Sequence, residues 1–339
     1  MTLRQFLVCG VLACLSVETS PAIEETVSSE LERVAGATVF IRVQRIFIGK
    51  TMVSGGTGFF VHPEGYILTD LLVVDEPVED PRFSDYGEVH AQPIAIHAVV
   101  TEPGRRARAV PCEVVATDRK NRLALLRVRE KPRNLVALGE SVGVEASDAV
   151  AFIGYPAAGL MEGGTPADVT EPRISVLSGS VAAVITDEDG TPKRIRTETV
   201  MDVGHCGAPL LNADDDVVAV TVCARRGNAR RGDGVPLDVA GAFLADHLIR
   251  VSIEPGVVLD PTLPVAVTVA PSAPLSFTQP WHGTVRVSTG GATFADSDLE
   301  RDGNGWRGTV AVPEVGDRSA SLQLTVLLYD SGGRERYRR

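Results

Sequence analysis

The residues best suited to covalent chemistry lie in one short run, Gly204-His205-Cys206-Gly207-Ala208-Pro209-Leu210. Two glycines bracket a histidine and a cysteine, and glycine reaches backbone angles that other residues avoid. A turn of that kind can aim successive N–H groups into one small space, which is the geometry of an oxyanion hole. Cys206 would stand at its apex as a nucleophile. The same residues also suit an ordinary glycine-rich turn between strands, because short motifs recur by chance.

The rest of the chain must position this turn, and its composition limits how. The chain has 339 residues, 44% of them hydrophobic, and a formal net charge of −11. That length accommodates two or three domains. The acidic balance argues against nucleic-acid binding, which calls for a basic face. Arg225-Arg226 and Arg230-Arg231 read as solvated loop charges. Residues 6–17 are apolar apart from Ser16 and follow a short start containing Arg4, the pattern of a secretory signal peptide over residues 1–22. Small residues at Ser20-Pro21-Ala22 suit cleavage, and a lipoprotein anchor is not expected. The expected location is therefore secreted or periplasmic. Beyond residue 22 three cysteines remain, Cys112, Cys206 and Cys223, and three cannot pair completely. Whether Cys206 and Cys223 bridge is open at this level.

Short β-patterned runs dominate. They fall at residues 38–43, 58–61, 66–69, 94–99, 107–115 and 123–128, then at 149–153, 174–177, 180–185, 195–200, 208–211 and 217–223. Closely spaced strands with turn signals predict barrels or a sandwich. Asp238 is placed to cap a helix over residues 239–249. Residues 251–261 read as a linker, and β patterning resumes over 265–269, 284–287, 306–312 and 321–329. The fold class is therefore all-β, with a first β domain over residues 23–250 and a small immunoglobulin-like β-sandwich over 262–339.

Several landmarks in order resemble the trypsin-like serine proteases, in particular their HtrA/DegP branch. These are residues 54–61 with 64–69, the run Leu123-Ala124-Leu125-Leu126, residues 150–156, Ser178-Gly179-Ser180-Val181, the turn at 204–211 and the closing strand and helix at 234–248. The resemblance implies a double β-barrel with short flanking helices. It also implies three triad slots, and all three are changed here. The histidine slot holds Leu72, the aspartate slot Arg122 and the serine slot Cys206. A leucine cannot take a proton, and a guanidinium is permanently charged and accepts nothing. A thiol depends less on a base than a hydroxyl does, because some thiolate exists at neutral pH. The resemblance therefore implies a pseudoprotease that binds polypeptide or an envelope protein. An endopeptidase or esterase using Cys206, with His90 or His97 as base, is the alternative.

The resemblance further implies oxyanion-hole donors at the N–H groups of Gly204 and Cys206, and a primary pocket floored by Val200 and bordered by the strand carrying Val220, Thr221 and Val222. The same valines would equally suit barrel core. His205 is expected to make a loop contact and His62 to be exposed. Arg122 is expected to pair with Asp70 or Asp202. Asp298, Glu300 and Asp302 hint at a calcium loop, but the third position is Glu300 and the twelfth Thr309, so a hairpin turn fits better. No cofactor, no metal and no carboxylate-binding loop of PDZ type is expected.

Overall fold

A computed structural model describes residues 31–77, 89–101, 106–156, 172–188, 190–201, 203–223, 231–253, 265–271, 282–289, 292–302, 305–310, 323–329 and 335–338. A helix, α1, covers residues 31–37 and feeds the first barrel. That barrel is closed by β1 (Thr38–Phe47), β2 (Lys50–His62), β3 (Tyr66–Asp70), β4 (Pro93–Val100), β5 (Arg108–Asp118) and β6 (Leu123–Val128), in spatial order β1-β2-β3-β6-β5-β4. A one-turn helix, α2 (Leu71–Val74), follows β3 directly.

The second barrel repeats the plan with β7 (Ala149–Gly154), β8 (Ser175–Thr186), β9 (Pro192–Val200), β10 (Pro209–Leu211), β11 (Val217–Cys223) and β12 (Arg231–Pro236), in order β10-β11-β12-β9-β8-β7. Closure removes free strand edges, so a six-stranded barrel leaves few unpaired backbone groups. The two runs expected at 174–177 and 180–185 form the single strand β8.

Helix α3 (Leu237–Leu248) closes the second barrel. Asp238 lies inside it, not at its cap. Its carboxylate instead accepts the Ser141 N–H at 3.0 Å. A second polar tie arrives beside it, where Leu237 N donates to Ser141 Oγ at 2.7 Å.

The remaining strands are β13 (Ile249–Ile253), β14 (Val265–Pro271), β15 (His282–Thr289), β16 (Ala292–Asp302), β17 (Gly305–Val310), β18 (Gln323–Tyr329) and β19 (Glu335–Arg338). They join in one antiparallel sheet of order β13-β14-β17-β16-β15-β18-β19. The long β16 connects its halves, pairing with β15 through Leu299 and with β17 from Glu300 onward. This curled sheet is the form taken by the second β domain. It begins earlier than expected, because residues 251–253 of the supposed linker are strand, paired to 267–269. Asp302 pairs with Gly305, so the calcium-like run is a hairpin. Expectations for residues 1–30, the signal segment included, lie outside the described residues.

The core is continuous across these units. Phe59, Leu68 and Leu125 from the first barrel meet Val220, Val222 and Val235 from the second, then Leu244 and Leu248 of α3 and Val285, Trp306 and Val326 of the sheet. Burying such side chains contributes ~1.5–3 kcal/mol each. That shared core holds the two barrels in the fixed relation the cleft requires. Among the described residues no helix is long and apolar enough to cross a membrane.

Candidate functional site

The cysteine-bearing turn is a short 3-10 segment, Val203–His205, followed by Cys206 and Gly207. Gly207 adopts φ +84°, and a Cβ there would collide with the Thr57 carbonyl and the Thr69 hydroxyl. Only glycine satisfies both demands at once. Thr57 is the post that holds the turn. Its N–H donates to the Cys206 carbonyl at 2.8 Å, and its hydroxyl donates to the Gly204 carbonyl at 2.7 Å. The same hydroxyl accepts the Tyr155 N–H at 3.0 Å, and the Thr57 carbonyl accepts the Thr69 hydroxyl at 2.6 Å. Gly207 N donates to the Thr221 carbonyl at 2.8 Å. A residue of the first barrel thus fixes the nucleophile-type turn of the second.

The sulfur at the apex is bonded. Cys206 and Cys223 form a disulfide across the turn and the end of β11, with a Cα–Cα distance of 5.3 Å. A disulfide sulfur has no proton to lose and no thiolate character, so Cys206 in this state is not a nucleophile. Cys206 is 4% exposed and lies against Leu71, Val73 and Val74. Cys112 is the free thiol among the described residues. It is half-buried rather than fully buried, and burial pushes its pKa up to about 12.

Leu72 lies half-buried on α2, where the resemblance puts the catalytic base. Arg122, which the resemblance puts in the acid slot, has φ +64°, and its carbonyl accepts the Leu71 N–H at 2.9 Å. The expected ion pair is present. Arg122 Nη2 lies 2.8 Å from Asp70 Oδ2. Asp202, the other carboxylate considered, lies outside the described residues. Asp70 has no exposed surface and also accepts from Leu72 N at 3.1 Å and Cys223 N at 3.1 Å. Burial is the dominant influence and raises its pKa to about 6, while Arg122 and the two backbone donors pull it down. Asp70 therefore caps α2, neutralises Arg122 and ties the first barrel to the bridged end of β11.

His205 and His90 are engaged elsewhere. His205 is buried, and its Nε2 lies 2.9 Å from the Ser175 hydroxyl, the loop contact expected of it. His90 Nδ1 lies 2.8 Å from Asp75 Oδ1. His97 is cross-strand from Arg42, and burial and that charge both lower its pKa. His62 is not exposed, as its position before a turn suggested. It is fully buried, its Nδ1 accepts the Glu64 N–H at 3.1 Å, and its ring meets Tyr66 edge-on. Filling the inside of the β2–β3 turn overrides the usual exposure of turn residues.

The pocket residues also separate. Val200 is 75% exposed, so it is neither barrel core nor an enclosed floor. Strand alternation explains this: Ile195 and Thr197 point inward on β9, which sends Arg196, Glu198 and Val200 outward. Val220, Thr221 and Val222 are all buried. Val220 and Val222 belong to the shared core, and β11 is paired to β10 on one side and to β12 on the other. Among the described residues no cluster of three histidine, cysteine or carboxylate side chains could hold a metal ion.

Two six-stranded barrels with a glycine-bounded turn at their junction define the class, a trypsin-like double barrel. Residues 56–220 match the family model of the trypsin-like peptidase domain. A DegP-like periplasmic serine endoprotease of Chlamydia pneumoniae is 28% identical over 198 residues, 58% of this chain and 34% of that protein. The serine protease HhoA of Synechocystis is 29% identical over 190 residues, 56% of this chain and 41% of that one. The chain thus spans well under half the length of these relatives. Among solved structures, an HtrA-type AlgW variant with a tripeptide has a TM-score of 0.47 at 18% identity, covering 67% of this chain and 68% of that one. Deg5 has a TM-score of 0.46 at 18% identity, covering 66% and 94%. The family match and the curated relatives support homology to the HtrA/DegP-type trypsin-like proteases.

The disulfide, the Thr57 post and the role of Asp70 were not read from sequence. The two cysteines 17 residues apart were visible as a pair that could bridge. Thr57, inside a glycine-rich strand, gave no signal.

Proposed function

We propose that this chain is a catalytically inert HtrA-type protease homologue of the cell envelope that binds polypeptide or another envelope protein without cleaving it. The observation that carries the reading is the Cys206–Cys223 bridge at the nucleophile slot. With Leu72 in the base slot and Arg122 neutralised by Asp70 in the acid slot, nothing in the site removes a proton from a nucleophile. The thiol-enzyme alternative requires reduction of the bridge and an imidazole aimed at Cys206; His90 is paired to Asp75, His205 to Ser175, and His97 lies opposite Arg42 on β4, leaving it as the base that alternative would use. The periplasmic names of the relatives and the apolar run at residues 6–17 favour an envelope location.

The test is turnover. The purified chain, oxidised and then reduced, is incubated with unfolded protein substrates and with thiol-reactive peptide probes, beside Cys206→Ala. No cleavage in either state, together with retention of polypeptide on the immobilised chain, is the expected result. Cleavage that Cys206→Ala abolishes would overturn the reading.

A further inference from the structure

The resemblance puts a primary pocket between the end of β9 and β11, yet Val200, its expected floor, points outward. The alternation that sends Val200 outward turns the next residue inward. Met201 is 3% exposed and belongs to the core of the second barrel, with Ile195, Leu210 and Ala219. Its side chain reaches β12, because a Cβ added at Gly232 would collide with Met201 Sδ and with the Thr197 hydroxyl. Gly232 stands opposite Cys223 in the β11–β12 register, and Cys223 is bridged to Cys206. The methionine therefore lies at the end of the barrel that carries the cysteine turn, one strand away from the bridged end of β11.

The space it fills is made by glycines. Gly232 and Gly234 leave β12 without side chains at two positions of the same face, and glycine inside a strand makes room for a close approach. Beside Gly234 that room is taken by Ala219 and Leu210, which a Cβ there would meet. Beside Gly232 it is taken by Met201 and Thr197. Thr197 is fixed, since its hydroxyl donates to the Gly232 carbonyl at 2.9 Å. Met201 is held by packing alone. Its unbranched thioether chain suits an irregular gap of this kind.

We propose that Met201 plugs the primary pocket from within, so that the chain holds polypeptide without admitting a side chain into the second barrel. The proposal rests on the polypeptide-binding reading and deepens it by naming the residue that sets side-chain selectivity. A pocket that admits a side chain gains the free energy of burying it, and a filled one gains nothing. Affinity is then indifferent to the residue presented at the cleft. A shorter residue 201 reopens a slot walled by Gly232, Thr197, Ile195 and Ala219, which suits an apolar side chain.

Chemical labelling and peptide binding test this. In Met201→Cys the vacated space should open to the cleft, so iodoacetamide should modify residue 201 in the folded chain, located by peptide mapping. Modification of residue 201 only after unfolding would make it ordinary core and overturn the proposal. Fluorescence anisotropy is then measured with labelled peptides that differ at one central residue: Gly, Leu, Phe, Asp or Lys. The native chain is expected to bind them within about threefold of one another. In Met201→Ala and in Met201→Cys the Leu and Phe peptides should gain ~10-fold over the Gly peptide, the effect of burying one apolar side chain. A steep preference in the native chain, or variants as indifferent as the native chain, would overturn the proposal. Labelling at residue 201 with no peptide bound by any form would remove the polypeptide reading and leave the plugged pocket standing.

Discussion

Arg122 Nη2 lies 2.8 Å from Oδ2 of Asp70, a carboxylate with no exposed surface that also accepts the N–H groups of Leu72 and Cys223. One buried acid thus connects three segments: α2 with Leu72, the turn with Arg122, and the strand bridged to Cys206.

Removing the cation should expose how much Asp70 depends on it. Arg122→Met leaves an uncompensated buried charge, and breaking such a pair costs ~3–5 kcal/mol. Chemical denaturation at pH 7.5 is expected to show a loss of that order. The loss should shrink at pH 5, where Asp70 takes up a proton. An equal loss at both values would contradict the assignment.

The pH dependence has a definite sign. Burial raises the Asp70 pKa to about 6 in the folded chain from an ordinary 3.8, so the folded state binds the extra proton between those values. Its contribution is fully present below pH ~4 and is lost as pH rises through ~6, by ~3 kcal/mol for a shift of about two units. Unfolding free energies of the native chain minus those of Asp70→Asn, measured from pH 3.5 to 7.5, should fall across that window. A flat difference would remove Asp70 as the titrating group.

The disulfide closes a loop of 17 residues' separation and should stabilise by ~3 kcal/mol through restriction of the unfolded chain. A reductant is expected to lower the unfolding midpoint of the native chain and to leave Cys206→Ala/Cys223→Ala unmoved. Peptide mapping without reduction should recover residues 206 and 223 in one linked fragment.

Restoring single triad members should not restore hydrolysis, because the members act as a unit. Leu72→His/Arg122→Asp/Cys206→Ser also needs Asp70→Asn, since two carboxylates would otherwise face each other where Arg122 and Asp70 now pair. Peptide turnover in the combined variant, and in no single one, is the expected pattern. Turnover by Leu72→His alone, with Cys206 reduced, would mean that the thiol lacked only a base.

Gly207→Ala tests the turn itself. The added Cβ meets the Thr57 carbonyl, the Thr69 hydroxyl and the Asp70 N–H region at a positive φ. A destabilisation above ~2 kcal/mol is expected, read as a shifted denaturation midpoint.

Much of this architecture is local information. The strand over Leu123–Val128 was legible residue for residue because it is a short, near-continuous apolar run, buried at every position but Arg127. The ordered landmarks from Ser54 to Leu248 pointed to the double barrel, and the resemblance implied the slots at Leu72, Arg122 and Cys206. The Arg122–Asp70 contact could be anticipated as a need for a partner, though Asp70 and Asp202 were equal candidates on paper.

Side-chain direction and distance in three dimensions lay beyond the reach of sequence. His62 is buried although it precedes a turn, and Val200 is exposed although a pocket role was expected, because each depends on which face the register turns toward the core. The chain alone shows two cysteines, but whether they bond depends on the turn and β11 bringing their Cα atoms to 5.3 Å. Composition and periodicity determined an all-β protein of closely spaced strands, and the resemblance of its ordered landmarks implied the double barrel and the slots at Leu72, Arg122 and Cys206. Only the packed structure decided that the sulfur is bridged and the cation paired, because those facts depend on contacts between segments far apart in the chain.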